Sequence, residues 1–94
     1  MGLRDDYELV DDYYASECYQ WSVVGVFRRV SDDALFWSSQ GGCSCFGPWD
    51  HTPDLQPFND QTFGKFSEAV MWMAVLRPDA HEWITKMAAL VRPN

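Results

Sequence analysis

The chain has 94 residues and a mass of 10.9 kDa, which is enough for one domain. Apolar residues make up 47% of it and aromatic residues 16%, too much for a disordered tail, and its longest apolar run is too short to span a membrane. The net charge of −7 opposes contact with a phosphate backbone, so direct binding of nucleic acid is not expected. The acidic first residues do not fit a signal peptide, and the sequence therefore predicts a protein of the cytoplasm that does not bind a membrane.

The first residues of the chain concentrate the negative charge. Residues 1–17 hold six acidic residues and one basic residue, and all four tyrosines lie in or beside this segment. We expect disorder over residues 1–6 and an edge strand over residues 7–10. The segment is either a solvated edge or a surface that contacts a partner protein. In the second case its contact residues are Tyr7, Asp11, Asp12, Tyr13 and Tyr14.

A β-hairpin over residues 18–39 is the clearest local prediction. Bulky apolar residues alternate along residues 18–30, a Ser-Asp-Asp turn follows, and residues 34–39 return as a third strand. Gly25 in the middle of the first strand indicates a bulge or the close approach of another backbone.

Glycine and proline punctuate residues 41–59, which the sequence predicts to be one long loop. Nineteen irregular residues are unusual in a small domain. We therefore expect the loop to be functional, to be pinned by other residues, or to contain a short strand.

The last third of the chain has helical periodicity. Asp60 or Thr62 begins a helix that continues through the apolar run, and Pro78 ends it. Asp79 and Glu82 have the spacing of a capping box and begin a second helix. Strands followed by helices predict an α+β fold in a single domain: a small antiparallel sheet of about three strands, with both helices packed on one face.

The first predicted helix is apolar on every side. A chain of this size has too little structure to cover residues 69–76 completely. We expect this helix to form a homodimer interface or a docking groove through Met71, Trp72 and Met73. The alternative is that the long loop folds over it.

The three cysteines and one histidine suggest a metal site. A two-residue hairpin turn would place Cys18 across from Cys45 on the same side as Cys43, and His51 follows in the loop. A three-residue turn would make Cys18 face away, unless a glycine bulge at residues 41–42 restored the phase. Cys18, Cys43, Cys45 and His51 would then form a structural Cys₃His zinc site that pins the loop. The alternatives are a Cys–Cys redox pair and small buried side chains without a metal or other cofactor.

Catalytic motifs are lacking, so an enzyme is not expected. Two alternatives to a binding protein remain open. One is a thiol-dependent redox protein or enzyme that uses Cys45 with His51. The other is a small-molecule or nucleotide sponge with an aromatic pocket formed by Trp21, Trp37 and Trp49.

Three motifs carry a resemblance to a known group of proteins. They are Tyr-Glu-Leu-Val at residues 7–10, Glu-Cys-Tyr-Gln at residues 17–20, and Gly-Cys-Ser-Cys at residues 42–45 followed by Pro-Trp-Asp at residues 48–50. With them the chain resembles a family of small uncharacterised actinobacteriophage proteins over residues 7–70. The resemblance implies a phage protein made inside a bacterial cell that acts on host machinery, and it adds weight to a cysteine cluster.

Together these patterns predict a small acidic protein that is a non-enzymatic binding module, and the resemblance implies that it is a phage protein. Its partner is a host or phage protein, and the apolar helix favours a homodimer. The contact surfaces are the acidic opening and the Met-Trp-Met segment.

The zinc hypothesis makes a direct prediction. Elemental analysis of the purified protein should find about one zinc ion per chain, and a chelator should lower the melting temperature, because a structural zinc site contributes folding free energy. A metal-free protein whose melting temperature ignores the chelator would contradict the hypothesis.

Overall fold

The fold is a four-stranded antiparallel sheet followed by two helices, which confirms the predicted α+β class. A computed structural model describes residues 6–17, 20–43, 47–49, 53–74 and 77–91. The strands are β1 (Tyr7–Glu17), β2 (Gln20–Arg29), β3 (Leu35–Cys43) and β4 (Gln56–Pro57), and they lie in chain order. The helices are α1 (Phe63–Met73) and α2 (Pro78–Val91). No helix within the described ranges is long and apolar enough to cross a membrane.

The central hairpin is formed by β2 and β3. The Arg29 amide donates to the Ala34 carbonyl over 2.8 Å, and the Asp33 amide donates to the Arg29 carbonyl over 2.8 Å. Asp33 has a φ of 62°, a conformation that aspartate tolerates better than most residues. Gln20 lies opposite Cys43 at the other end, so β3 extends beyond the predicted residues 34–39.

Strand β1 is longer than the predicted residues 7–10. It pairs with β2 along its whole length, with a register shift between Leu9 and Asp11. The extra residue of this bulge breaks the alternation of side chains between the two faces. The sequence pattern is therefore interrupted at Val10, although the strand continues.

The predicted loop over residues 41–59 is partly wrong. Its first three residues belong to β3, and β4 adds a short strand in which Pro57 lies opposite Phe36. The Phe58 amide then donates to the Leu35 carbonyl over 2.9 Å. The expectation of a short strand inside the loop is confirmed. Of the predicted disordered residues 1–6, only Asp6 lies within the described part, and its carbonyl accepts from the Val30 amide.

The two faces of the sheet bury different residues. We call the side packed against α1 and α2 the helix face, and the side that carries Trp21, Val23, Gly25 and Phe27 the second face. The helix face contributes Tyr13, Val24, Val26 and Trp37 to the main core, where they join buried residues of both helices. Residues directly opposite each other on neighbouring strands share a face, so the pairing of Val26 with Trp37 extends this face to β3.

Helix boundaries differ from the predicted ones. Thr62 is the N-cap of α1, but the Asn59 Oδ1 atom accepts from its amide over 3.0 Å, so Asn59 supplies the side-chain acceptor. Helix α1 ends at Met73 instead of continuing through residue 76. Pro78 is the first residue of α2, where its fixed φ and missing amide proton suit a helix start.

Phe66 lies at the centre of the core. Its side chain is fully buried, and its ring centroid lies 4.7 Å from that of Phe58, 5.5 Å from that of Trp83 and 5.8 Å from that of Trp37. It thus joins the sheet, the β4 segment and both helices.

Replacing Phe66 by alanine should lower the free energy of unfolding by about 3–5 kcal/mol, because the cavity cannot be filled without moving four elements. Urea denaturation measures this change. The matched variant is Val30→Ala at an exposed turn position, which should change stability by no more than about 0.5 kcal/mol. Equal effects of the two substitutions would contradict this account of the core.

Candidate functional site

Asp11 and Asp12 are neighbours on β1 whose side chains point to opposite faces of the sheet. Asp11 lies opposite Val26 on the helix face, and Asp12 lies opposite Gly25 on the second face. Each carboxylate accepts a hydrogen bond from the indole of a different tryptophan, Asp11 from Trp83 and Asp12 from Trp49. The pair therefore connects β1 to helix α2 on one side and to the β3–β4 connection on the other.

The Asp11 carboxylate is held by groups of α2. Its Oδ2 atom accepts from Trp83 Nε1 over 3.2 Å and from Lys86 Nζ over 3.0 Å, and its Oδ1 atom accepts from the Asp12 amide over 2.9 Å. Burial is the largest single influence and would raise the pKa of Asp11. The hydrogen bonds from Lys86, Trp83 and the Asp12 amide together outweigh it, so the pKa of Asp11 lies below its ordinary value.

Tyr13 belongs to the core rather than to an outer surface. Its side chain is 8% exposed, its ring lies 5.8 Å from that of Trp83, and its hydroxyl donates to Asp79 Oδ1 over 2.8 Å. Burial, followed by this hydrogen bond, raises the pKa of Tyr13. Asp79 lies in the first turn of α2, where its charge also complements the helix dipole.

Trp49 packs into a notch on the second face, formed by Asp12, Gly25, Phe27 and Gln40. Its indole Nε1 atom donates to Asp12 Oδ2 over 3.1 Å, and its backbone amide donates to Gln40 Oε1 over 3.0 Å. Its ring meets that of Phe27 edge to face at a centroid distance of 4.9 Å. A Cβ atom on Gly25 would lie only 2.5 Å from Trp49 Cζ2, so glycine is required for this contact. The predicted close approach at Gly25 is therefore made by a side chain, not by a backbone.

The expectation of a solvated acidic opening is wrong for Asp11 and Asp12, since both are partly buried and hydrogen-bonded. Tyr7 is also partly buried and meets Phe36 edge to face at 5.6 Å. Only Tyr14, 47% exposed and stacked on Trp21, presents much of its ring to solvent. Four of the five predicted contact residues of the opening thus support the chain's own fold.

The Met-Trp-Met segment divides between core and solvent. Met71 and Met73 are partly buried and pack against the main core, whereas Trp72 is 89% exposed. The helix is therefore less exposed than its composition suggested. One large apolar side chain nevertheless projects into solvent from α1.

The predicted aromatic pocket is wrong in its geometry. Trp37 lies on the helix face, where its ring meets Phe66 edge to face, whereas Trp21 and Trp49 lie on the second face. The sheet separates them, so the three tryptophans do not surround one cavity.

The predicted zinc ligands lie outside the described part of the chain. This holds for Cys18, Cys45 and His51 and for the side chain of Cys43, whose backbone is part of β3. Gln20 lies opposite Cys43, which agrees with the hairpin register that a two-residue turn gives. Among the residues that the structure does describe, no three His, Cys, Asp or Glu side chains are grouped to hold a metal ion.

The sequence pattern did not identify the hydrogen-bond partners of Asp11 and Asp12. Two consecutive carboxylates on a strand must point to opposite faces, which is a usable signal. Their indole partners, however, are 37 and 72 residues away along the chain. No local pattern connects them.

The Asp11→Ala and Asp12→Ala variants should each lose about 1–2 kcal/mol of unfolding free energy, because each leaves an indole N–H without its charged acceptor. Asp6→Ala, at an exposed position of the same acidic segment, is the control and should leave stability unchanged. Urea denaturation at pH 6 to 7 compares the three.

The pH dependence of Asp11→Ala gives an internal check. A carboxyl group whose pKa is lowered by folding stabilises the native state above the pKa of the unfolded chain, and this contribution is lost as the pH falls through the folded pKa. The difference between wild type and Asp11→Ala should therefore shrink below about pH 4. A difference that stays constant down to about pH 2 would contradict the role of the charge.

A family model matches most of the chain. The model of a family described as a domain of unknown function, DUF7574, matches residues 5–91. No curated protein and no solved structure matches the chain. The matched region begins before β1 and reaches the last residue of α2, so it includes Asp11, Asp12 and the two tryptophans that donate to them. On this evidence the chain belongs to the DUF7574 family.

Proposed function

We propose that the protein is a non-enzymatic binding module that uses Trp72 as the anchor for a partner protein. The exposure of this one side chain is the observation that carries the proposal. Tryptophan is among the residues that most often dominate binding energy at protein interfaces. A solvated indole contributes nothing to the chain's own core, so its place on the surface is best explained by a partner that buries it.

The position of Trp72 supports this role. Met71 and Met73, on either side of it, pack against the core and hold this turn of α1 in place. An anchor on a helix fixed by its neighbours loses little conformational freedom on binding, which favours affinity.

The charge of the chain indicates the kind of partner. A net charge of −7 attracts basic surfaces at long range and repels other acidic proteins. It also opposes close contact between two copies of the chain. We therefore favour a basic host or phage protein, with the homodimer as the second candidate. The actinobacteriophage resemblance is the reason for placing this partner in the cytoplasm of a bacterial host.

The Trp72→Ser variant tests the proposal. Used as bait in a bacterial extract beside the wild-type protein, it should capture the same partner about thirtyfold less well, the loss expected for an interface hot spot. Capture by the wild type should also weaken as salt is raised, because the acidic surface is screened. Mass spectrometry of the captured proteins is the measurement.

Lys65→Ser is the matched control, because Lys65 is exposed on the same helix. It should leave capture of the partner intact. A folded Trp72→Ser variant that captures the partner as well as the wild type would contradict the anchor role. Native mass spectrometry of the purified protein separates the candidates: a dimer lost in Trp72→Ser would identify a second copy as the partner.

A further inference from the structure

We propose that the notch under Trp49 is a receptor site for a tryptophan residue of a peptide, and that Trp49 occupies it as a displaceable internal ligand. A partner that presents a tryptophan would occupy the notch and displace the Trp49 side chain. This site lies on the second face of the sheet, away from Trp72 on α1, so it is independent of the anchor.

Gly25 forms the floor of the notch, and Phe27 forms one of its walls. Gly25 leaves a gap that any side chain would close, since its Cβ atom would lie 2.5 Å from the indole. The Phe27 ring forms a wall at a centroid distance of 4.9 Å and an interplanar angle of 84°. Edge-to-face contact of this kind is a favoured geometry between aromatic rings.

The polar groups of the notch distinguish tryptophan from phenylalanine. Asp12 Oδ2 accepts the indole N–H, which phenylalanine lacks. Gln40 Oε1 accepts the backbone amide of the same residue. One acceptor therefore recognises the side chain, and the other recognises the peptide to which it belongs.

The row of paired residues that includes Gly25 also contains a polar group without a hydrogen bond to the described part of the chain. Asp12, Gly25 and Ser38 lie opposite one another on β1, β2 and β3. Ser38 is 1% exposed, and its hydroxyl has no hydrogen-bond partner among the described residues. Buried hydroxyls are normally paired, so the second face, as far as the structure describes it, carries an unsatisfied polar group beside Gly25.

Trp49 occupies the notch at the cost of backbone strain. Its φ is 64°, in the left-handed region that a bulky side chain rarely adopts. Such strain persists only where surrounding contacts hold the residue, and it is released when the residue leaves. A tryptophan in an extended peptide would make the same contacts without this strain, so it would compete favourably.

The full-length Trp49→Ala variant opens the notch for direct measurement. N-acetyl-tryptophanamide should bind to it and raise its melting temperature, and it should bind about tenfold more tightly than N-acetyl-phenylalaninamide, because only the indole donates to Asp12. Adding Gly25→Ala to this variant should abolish binding, because the new methyl group fills the floor. A folded Trp49→Ala protein that binds neither amide, or both equally, would overturn the proposal.

Displacement in the wild-type protein is the second measurement. With 5-fluorotryptophan incorporated, the ¹⁹F signal of Trp49, assigned from the Trp49→Phe variant, should move toward that of a solvated indole when N-acetyl-tryptophanamide is added. N-acetyl-phenylalaninamide should have little effect. A Trp49 signal that stays in place at concentrations saturating Trp49→Ala would show a fixed structural residue and overturn displacement.

The Trp49→Phe variant gives a second test that stays valid if Trp49→Ala fails to fold. It keeps a ring on Phe27 but leaves Asp12 without its indole donor. It should bind N-acetyl-tryptophanamide more tightly than the wild type does, because the internal competitor is weaker. Equal affinity of the two proteins would again overturn the proposal. Capture through Trp72 should be unchanged in both Trp49 variants, so failure of this site and failure of the anchor can be distinguished.

Discussion

Two hydrogen bonds from indoles to adjacent carboxylates connect β1 to the segments that cover the two faces of the sheet. Asp11 and Asp12 occupy consecutive positions of β1, so the pleat of the strand directs one side chain to each face. One carboxylate receives the indole of α2, and the other receives the indole of the β3–β4 connection. Because both bonds involve a charged acceptor in a partly buried setting, each is stronger than a hydrogen bond between neutral groups.

This arrangement explains how an acidic strand can lie at the edge of a small sheet. Unpaired charges along an edge normally prevent other strands from adding to it, and the bulge near Val10 has the same effect. Here the two central charges also have partners inside the chain. The acidic opening therefore deters edge-to-edge association and also connects the sheet to the segments that cover it. The acidic residues without such contacts supply the charge that attracts a basic partner at long range.

The sequence predicts those features that depend on periodicity and misses those that depend on distant contacts. The alternation around Val24 and Val26 is enough to place the hairpin, and the helical stripe of α2 is enough to place that helix. The rest of β1 is not predicted because the bulge interrupts the alternation of side chains between the two faces of the strand. Gly25 indicates a close contact, but nothing near it in the sequence identifies Trp49. Pro78 is compatible with both the end of one helix and the start of the next.

Trp49 and Trp72 are the two tryptophans on which the proposed binding surfaces depend. Trp49 packs against the second face with its indole N–H donating to Asp12, and its backbone adopts a strained conformation there. Trp72 needs no acceptor because water supplies it, but its ring then has no apolar cover. One tryptophan therefore occupies a site at a conformational cost, and the other lacks a site altogether. A partner tryptophan that replaced Trp49 in the notch would relieve the backbone strain. A partner with an apolar pocket would bury the exposed ring of Trp72. Both proposed binding surfaces therefore depend on an indole.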